Sequence, residues 1–123
     1  MMRAMLVDDH NVFRECLALV LERHTEFKEC VQARSLAEAR EVLGDSHRNL
    51  DLTIVDLDLA NGGGLDLIKE LRVSHPEVPV LAITFEPDAN SRDQALRAGA
   101  AEVLTIPASP REIIDVARGL ASE

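Results

Sequence analysis

Short apolar runs recur along the chain at residues 4–7, 30–33, 52–55, 80–84 and 102–105. Each is long enough for a strand and too short for a helix, and they begin about 22 to 28 residues apart. The intervening segments carry apolar residues at helical spacing: Val12, Cys16, Leu19 and Val20; Leu36, Ala39, Val42 and Leu43; Leu65, Ile68 and Leu71; Ala95, Leu96 and Ala98; Ile113, Val116 and Leu120. This alternation predicts five βα units. Runs such as Leu52-Thr53-Ile54-Val55 show little polar alternation, as parallel strands covered by helices on both faces require. The expected fold class is therefore α/β, a doubly wound five-stranded parallel sheet.

The punctuation agrees with these boundaries. Ser35-Leu36-Ala37-Glu38 and Ser109-Pro110-Arg111-Glu112 read as capping boxes, the second with proline at the first helical position. Gly99 suits a left-handed cap on the fourth helix, and Pro76 and Pro79 end the third. Gly62-Gly63-Gly64 reads as a flexible loop, because a phosphate cradle needs a following lysine and hydroxyl and a place in the first βα turn. No internal repeat or linker interrupts the pattern.

Composition restricts the function. At 123 residues, with 46% hydrophobic and 28% charged positions, the chain suits one globular domain, neither membrane-embedded nor disordered. Its 13 basic against 22 acidic residues give a net charge of −9, which repels polyphosphate and disfavours direct nucleic-acid binding. Phe13, Phe27 and Phe85 are the only aromatics, so base-stacking platforms are missing too. Cys16 and Cys30 match no zinc motif and are too few for a disulfide scaffold, which fits reduced thiols in a cytoplasmic protein. The apolar stretch before Asp8 is far shorter than a signal-peptide core or a spanning helix, so no membrane association is expected.

In an open parallel sheet, ligands sit beyond the carboxyl ends of the strands, where the strand order reverses. The first run is followed by Asp8 and Asp9, the third by Asp56 and the fifth by Ile106-Pro107, while the fourth ends in Thr84. With the order 2-1-3-4-5, the switch point lies between the first and third strands and gathers Asp8, Asp9 and Asp56. Carboxylates so close raise one another's proton affinity unless a cation compensates, and an oxygen-only set with few ligands suits Mg²⁺. The alternative is local: Asp8 and Asp9 cap a first helix beginning near Asn11, and Asp56 closes a turn.

Val7-Asp8-Asp9-His10, Asp56 and Thr84 at strand ends, and Ala98-Gly99-Ala100 before the last strand resemble receiver domains of two-component response regulators over the whole chain. The Asp-Asp-His opening with Phe13-Arg14 is similar to receivers of the NarL/FixJ type, which usually precede a helix-turn-helix output domain. The resemblance implies a flavodoxin-like receiver fold in a single domain, residues 1–123, with any DNA-binding output domain outside this chain. It implies that Asp8, Asp9 and Asp56 hold Mg²⁺, that Asp56 accepts a phosphoryl group from a sensor histidine kinase, and that Thr84 hydrogen-bonds a phosphoryl oxygen. The chain is then a phosphoacceptor in a cytoplasmic phosphorelay regulating transcription, not an enzyme. The face of the fourth helix, fifth strand and fifth helix is its implied homodimer surface. These roles are chemically sound, since a carboxylate can attack phosphorus and a hard cation can neutralise the transferring oxygens.

Several positions depart from the family pattern. A lysine is expected before the proline that follows the fifth strand, and Ile106 stands there; an aromatic is expected three residues earlier, and Val103 stands there. The chain's only lysines, Lys28 and Lys69, are predicted before the second strand and inside the third helix, out of reach. Losing a charge-assisted bond to phosphate removes about 1.5 to 3 kcal/mol, so coupling between phosphorylation and conformation is expected to weaken. Phe85 replaces a small residue after Thr84, either packing under the loop, crowding the route to Asp56 or taking the place of the missing switch aromatic. Asp58 and Glu86 add negative charge to the rim as a solvated acidic edge, and Ala60 stands at a usual proline.

Other chemistries fit less well. Asp56-Leu57-Asp58 is similar to the acidic pair of haloacid-dehalogenase-type phosphatases, but those need it on the first strand. A flavodoxin-like phosphate binder is opposed by Asp8 and Asp9. Asp45-Ser46-His47 are sequential neighbours, which is not a triad geometry, and His10 fits the helix start better than a metal-ligand role. His24 and His75 lie scattered in polar segments. The remaining rival is a pseudo-receiver, the same fold acting as a phosphorylation-independent interaction module.

Overall fold

The computed structural model describes residues 2–45, 49–86 and 88–122. Among them, strands β1 (Met2–Val7), β2 (Phe27–Ala33), β3 (Leu52–Asp56), β4 (Val80–Thr84) and β5 (Glu102–Thr105) alternate with helices α1 (Asn11–His24), α2 (Leu36–Leu43), α3 (Gly63–Ser74), α4 (Ala89–Ala98) and α5 (Pro110–Ala121). The strands form one parallel sheet in the order β2-β1-β3-β4-β5, the doubly wound arrangement the pattern predicts. Every residue of β3 and β4 is buried, which explains their lack of polar alternation.

Successive strand side chains point to opposite faces and so divide the core in two. Ala4, Leu6, Ile54, Leu81 and Ile83 pack against Leu17 and Leu21 of α1 and Ile113 and Ala117 of α5. Met5, Val7, Val55, Val80 and Ala82 pack against Ala39 of α2, Leu67, Ile68 and Leu71 of α3, and Ala95 of α4. Each fully buried Leu or Ile contributes about 1.5 to 3 kcal/mol relative to exposure. Among the described residues, no helix is long and apolar enough to cross a membrane.

The first two strands begin earlier than their apolar runs. β2 is an edge strand whose Lys28 and Glu29 interrupt the buried positions, so composition alone hides its beginning. Lys28 therefore lies within β2 rather than before it, at the end of the sheet opposite the switch point. The Ser35 and Ser109 hydroxyls accept from the amides of Glu38 and Glu112, both at 3.1 Å, as capping requires. The return arm of the first box is displaced: Glu38 Oε1 accepts from the Arg34 amide at 2.8 Å, one residue before the cap.

The glycine run is not a loop. Asn61 and Gly62 take positive φ of 62° and 70°, turning the chain sharply, and α3 starts at Gly63. Gly64 packs against the end of β3, where a Cβ would collide with the Asp56 carbonyl oxygen and lie 2.9 Å from Leu57 Cα. Pairing of Val7 with Val55, Asp56 with Ile83 and Thr84 with Thr105 aligns the strand ends where the site forms.

Candidate functional site

Asp8 and Asp56 follow or end the neighbouring strands β1 and β3, and both are fully buried. Asp8 Oδ1 accepts from the His10 amide at 2.8 Å and lies 2.8 Å from His10 Nδ1. Asp56 Oδ1 accepts from the Asp58 amide at 2.8 Å. The second oxygens, Asp8 Oδ2 and Asp56 Oδ2, are buried without a hydrogen-bond partner. Orphaned buried carboxylate oxygens are costly, so this pair calls for a cation or a proton. Asp9 is more open, with its Oδ1 3.5 Å from His10 Nδ1.

The structure thus gathers the three predicted carboxylates, and it adds a residue the sequence reading assigned elsewhere. His10 is the N-cap residue of α1, as expected of the helix start, but makes no side-chain cap. Its ring turns among the carboxylates, with Nδ1 also 3.4 Å from Asp56 Oδ2. One ligand atom from each of Asp8, Asp9, His10 and Asp56 can be chosen so that all lie within 4.8 Å of one another. The contiguous Asp-Asp-His triplet was the available signal. Burial, reinforced by the charge of Asp8 against one opposing amide bond, pushes the Asp56 carboxyl up to about 7. The bond to Asp8, opposed by partial burial, raises the His10 imidazole above its ordinary value. Neither Asp8 nor Asp9 caps α1 through its side chain.

Arg14 holds this corner from behind. Buried to 5% exposure, it donates through Nη1 to the Asp8 carbonyl and Asn11 Oδ1 and through Nε to Gln32 Oε1, each at 2.9 Å. It ties the first turn of α1 to β1 and β2, a structural role behind the Phe13-Arg14 motif.

On the β4 side, Thr84 is buried, and its hydroxyl is already engaged. It donates towards the Glu86 carbonyl at 3.2 Å and Asp58 Oδ2 at 3.4 Å, and accepts from the Glu86 amide at 3.0 Å. Asp58 Oδ2 also accepts from the Phe85 amide at 3.1 Å. Asp58 is exposed, as expected of a rim charge, and it also bridges the chain just past the ends of β3 and β4. Phe85 does not pack under a loop: 38% exposed, its ring lies 5.0 Å from His10 and 5.4 Å from Phe13, centroid to centroid.

Ile106 is 6% exposed within the α1 and α5 half of the core, and its amide donates to the Thr84 carbonyl at 2.7 Å. Lys69 is exposed on α3, so neither lysine reaches the cluster. Cys30 is buried and its thiol is pushed up to about 12, mainly by burial, which keeps it unreactive. Ser46 and His47 lie outside the described residues.

Residues 4–118 match the family model of the response regulator receiver domain. Relatives include the response regulator protein PilR of Pseudomonas aeruginosa, 38% identical over 85% of this chain and 23% of its own length. The response regulator GacA of Pseudomonas viridiflava is 30% identical over 96% of this chain and 54% of its own length. The chain thus spans about a quarter to a half of these relatives. Among solved structures, a Burkholderia pseudomallei response regulator with a phosphorylated aspartic acid, calcium ion and citrate aligns at a TM-score of 0.86. It is 30% identical, with 99% of this chain and 69% of that one covered. The receiver domain of NtrX from Brucella abortus aligns at 0.86 with 26% identity, covering 97% and 98%.

Proposed function

This chain belongs to the response regulator receiver family, and on that premise we propose that Asp56 is its phosphoacceptor, in a single receiver domain over residues 1–123. The partner is a sensor histidine kinase in a cytoplasmic, transcription-regulating phosphorelay. The chain acts as a signalling domain rather than an enzyme. The observation that carries the reading is Asp56 Oδ2, buried, without a hydrogen-bond partner and at the strand-order switch point.

The Asp58 amide fixes Asp56 Oδ1, which leaves Oδ2 as the oxygen available to attack phosphorus. Attack needs the ionised carboxylate, and a nearby positive charge favours that form. Asp8, Asp9 and Asp56 would hold a divalent cation such as Mg²⁺, and the orphaned Asp8 Oδ2 fits one. When bound, the ion neutralises charge on the carboxylates and on the transferring phosphoryl oxygens. Thr84 would turn its hydroxyl from Glu86 and Asp58 towards the new anion. The face of α4, β5 and α5 is the proposed homodimer surface.

Acetyl phosphate with Mg²⁺ should add one phosphoryl group to the intact chain, read by mass, and none to Asp56→Asn. Labelling of both, or of neither, would remove the assignment. A second reading has its own observation: Ile106, where the resemblance expects a lysine, is a buried apolar side chain. On that reading the domain is a pseudo-receiver, and phosphorylated and unphosphorylated protein would give the same amide spectrum and oligomeric state.

A further inference from the structure

We propose that His10 is a metal ligand, and that it turns this site from a magnesium site into a mixed nitrogen and oxygen centre preferring first-row transition ions. The proposal rests on the receiver reading only in taking Asp8, Asp9 and Asp56 as a cation site. Three observations carry it. His10 Nδ1 stands 2.8, 3.5 and 3.4 Å from oxygens of Asp8, Asp9 and Asp56. With metal–ligand bonds of about 2.1 Å, neighbouring donors lie about 3.0 Å apart on an octahedron and about 3.4 Å apart on a tetrahedron. The imidazole nitrogen is therefore spaced from the carboxylate oxygens as a fellow donor on one polyhedron would be, rather than standing behind them. The pocket also calls for a cation or a proton, since Asp8 Oδ2 and Asp56 Oδ2 are fully buried without hydrogen-bond partners. Finally, the ring is held: Phe85 lies against it at 5.0 Å, and Phe13 backs Phe85 at 5.4 Å.

The donor set decides the ion class. Mg²⁺ favours oxygen and water, whereas imidazole strengthens binding of Mn²⁺, Co²⁺, Ni²⁺ and Zn²⁺. The competing arrangement is a charged imidazolium filling the pocket as a counter-ion and leaving when any metal arrives. The two make opposite predictions for removal of the ring. A ligand's loss weakens transition ions and spares Mg²⁺, while a counter-ion's loss strengthens every ion.

Co²⁺ and Mg²⁺ are titrated separately into the intact chain, His10→Ala, His10→Asn and Asp9→Ala. Calorimetry gives both affinities, and the Co²⁺ visible spectrum and paramagnetically shifted imidazole proton resonances report nitrogen coordination. We expect shifted imidazole resonances in the parent chain, and a loss of at least about tenfold in the Co²⁺ to Mg²⁺ affinity ratio in both His10 variants. An unchanged ratio, equal strengthening of both ions, or no imidazole resonance overturns the proposal. The spectrum of the parent chain decides the matter even where a variant fails to fold. If Asp9→Ala binds both ions as the parent does, the underlying cation site falls instead. Phosphorylation of Asp56 by acetyl phosphate in Mg²⁺ is read separately and stands or falls without His10.

Discussion

Asp56→Asn should stabilise the metal-free domain, and by more at high pH than at low. Burial raises this carboxyl from the ordinary 3.8 to about 7, so between those values the folded state holds a proton that the unfolded chain has released. Stability is then fully present below pH 4 and is lost as pH rises towards and through 7. Each unit is worth 1.36 kcal/mol, so the penalty reaches about 4 kcal/mol by pH 8 and is under about 2 kcal/mol at pH 5. Asparagine is close to isosteric with the protonated acid and escapes the penalty. The variant's advantage in EDTA should therefore grow by about 2 to 3 kcal/mol between pH 5 and pH 8. His10, whose imidazole is raised, loses its own contribution in the same direction as pH rises, in both proteins. Urea unfolding of both chains at four pH values measures the difference directly. An advantage that is flat with pH, or a destabilised variant, would refute a carboxyl held protonated by burial.

Three further substitutions test separate parts of the site. Ile106→Lys should cost about 1 to 3 kcal/mol in urea unfolding, because a 6% exposed side chain leaves the core, while enlarging the amide shifts that phosphorylation produces. Shifts no larger than in the parent, with Asp56 phosphorylated in both, would favour the pseudo-receiver. Asp58→Ala frees the Phe85 amide and Thr84 hydroxyl and removes about 1 kcal/mol of repulsion, so the phosphorylated fraction at fixed acetyl phosphate should rise about fivefold; a fall would show that Asp58 aids the transfer. Arg111→Glu on exposed α5 should weaken any phosphorylation-dependent dimer in sedimentation, and an unchanged constant would place the interface elsewhere.

The carboxylates were legible because each stands directly after an apolar run, and a parallel sheet turns the end of a run into a place in space. Ile106 was legible in the same way, from its neighbouring proline. What escaped depends on side-chain direction, which periodicity does not carry. His10 was read correctly as part of the helix start, yet the backbone there leaves its ring free to face outward or inward, and only the packed Phe85 shows which. Asp58 is surface charge, but its bridging role was hidden because the hydroxyl and amide that bind it come from the end of β4 and the residue after it, 26 and 27 positions away. The glycine run misled for a related reason. Gly64 lacks a side chain to let α3 approach the Asp56 carbonyl, and close approach reads in sequence the same as flexibility.

The division of the core by the sheet has an evolutionary consequence. Val103 packs in the half bounded by α2, α3 and α4, whereas Ile106 lies in the half bounded by α1 and α5. Although three residues apart on one strand and its exit, the two departures from the family pattern answer to different neighbours. A substitution at either position can be accommodated among the residues of one face, with no pressure on the other. The two losses are thus expected to be nearly free of epistasis, with effects on stability that add.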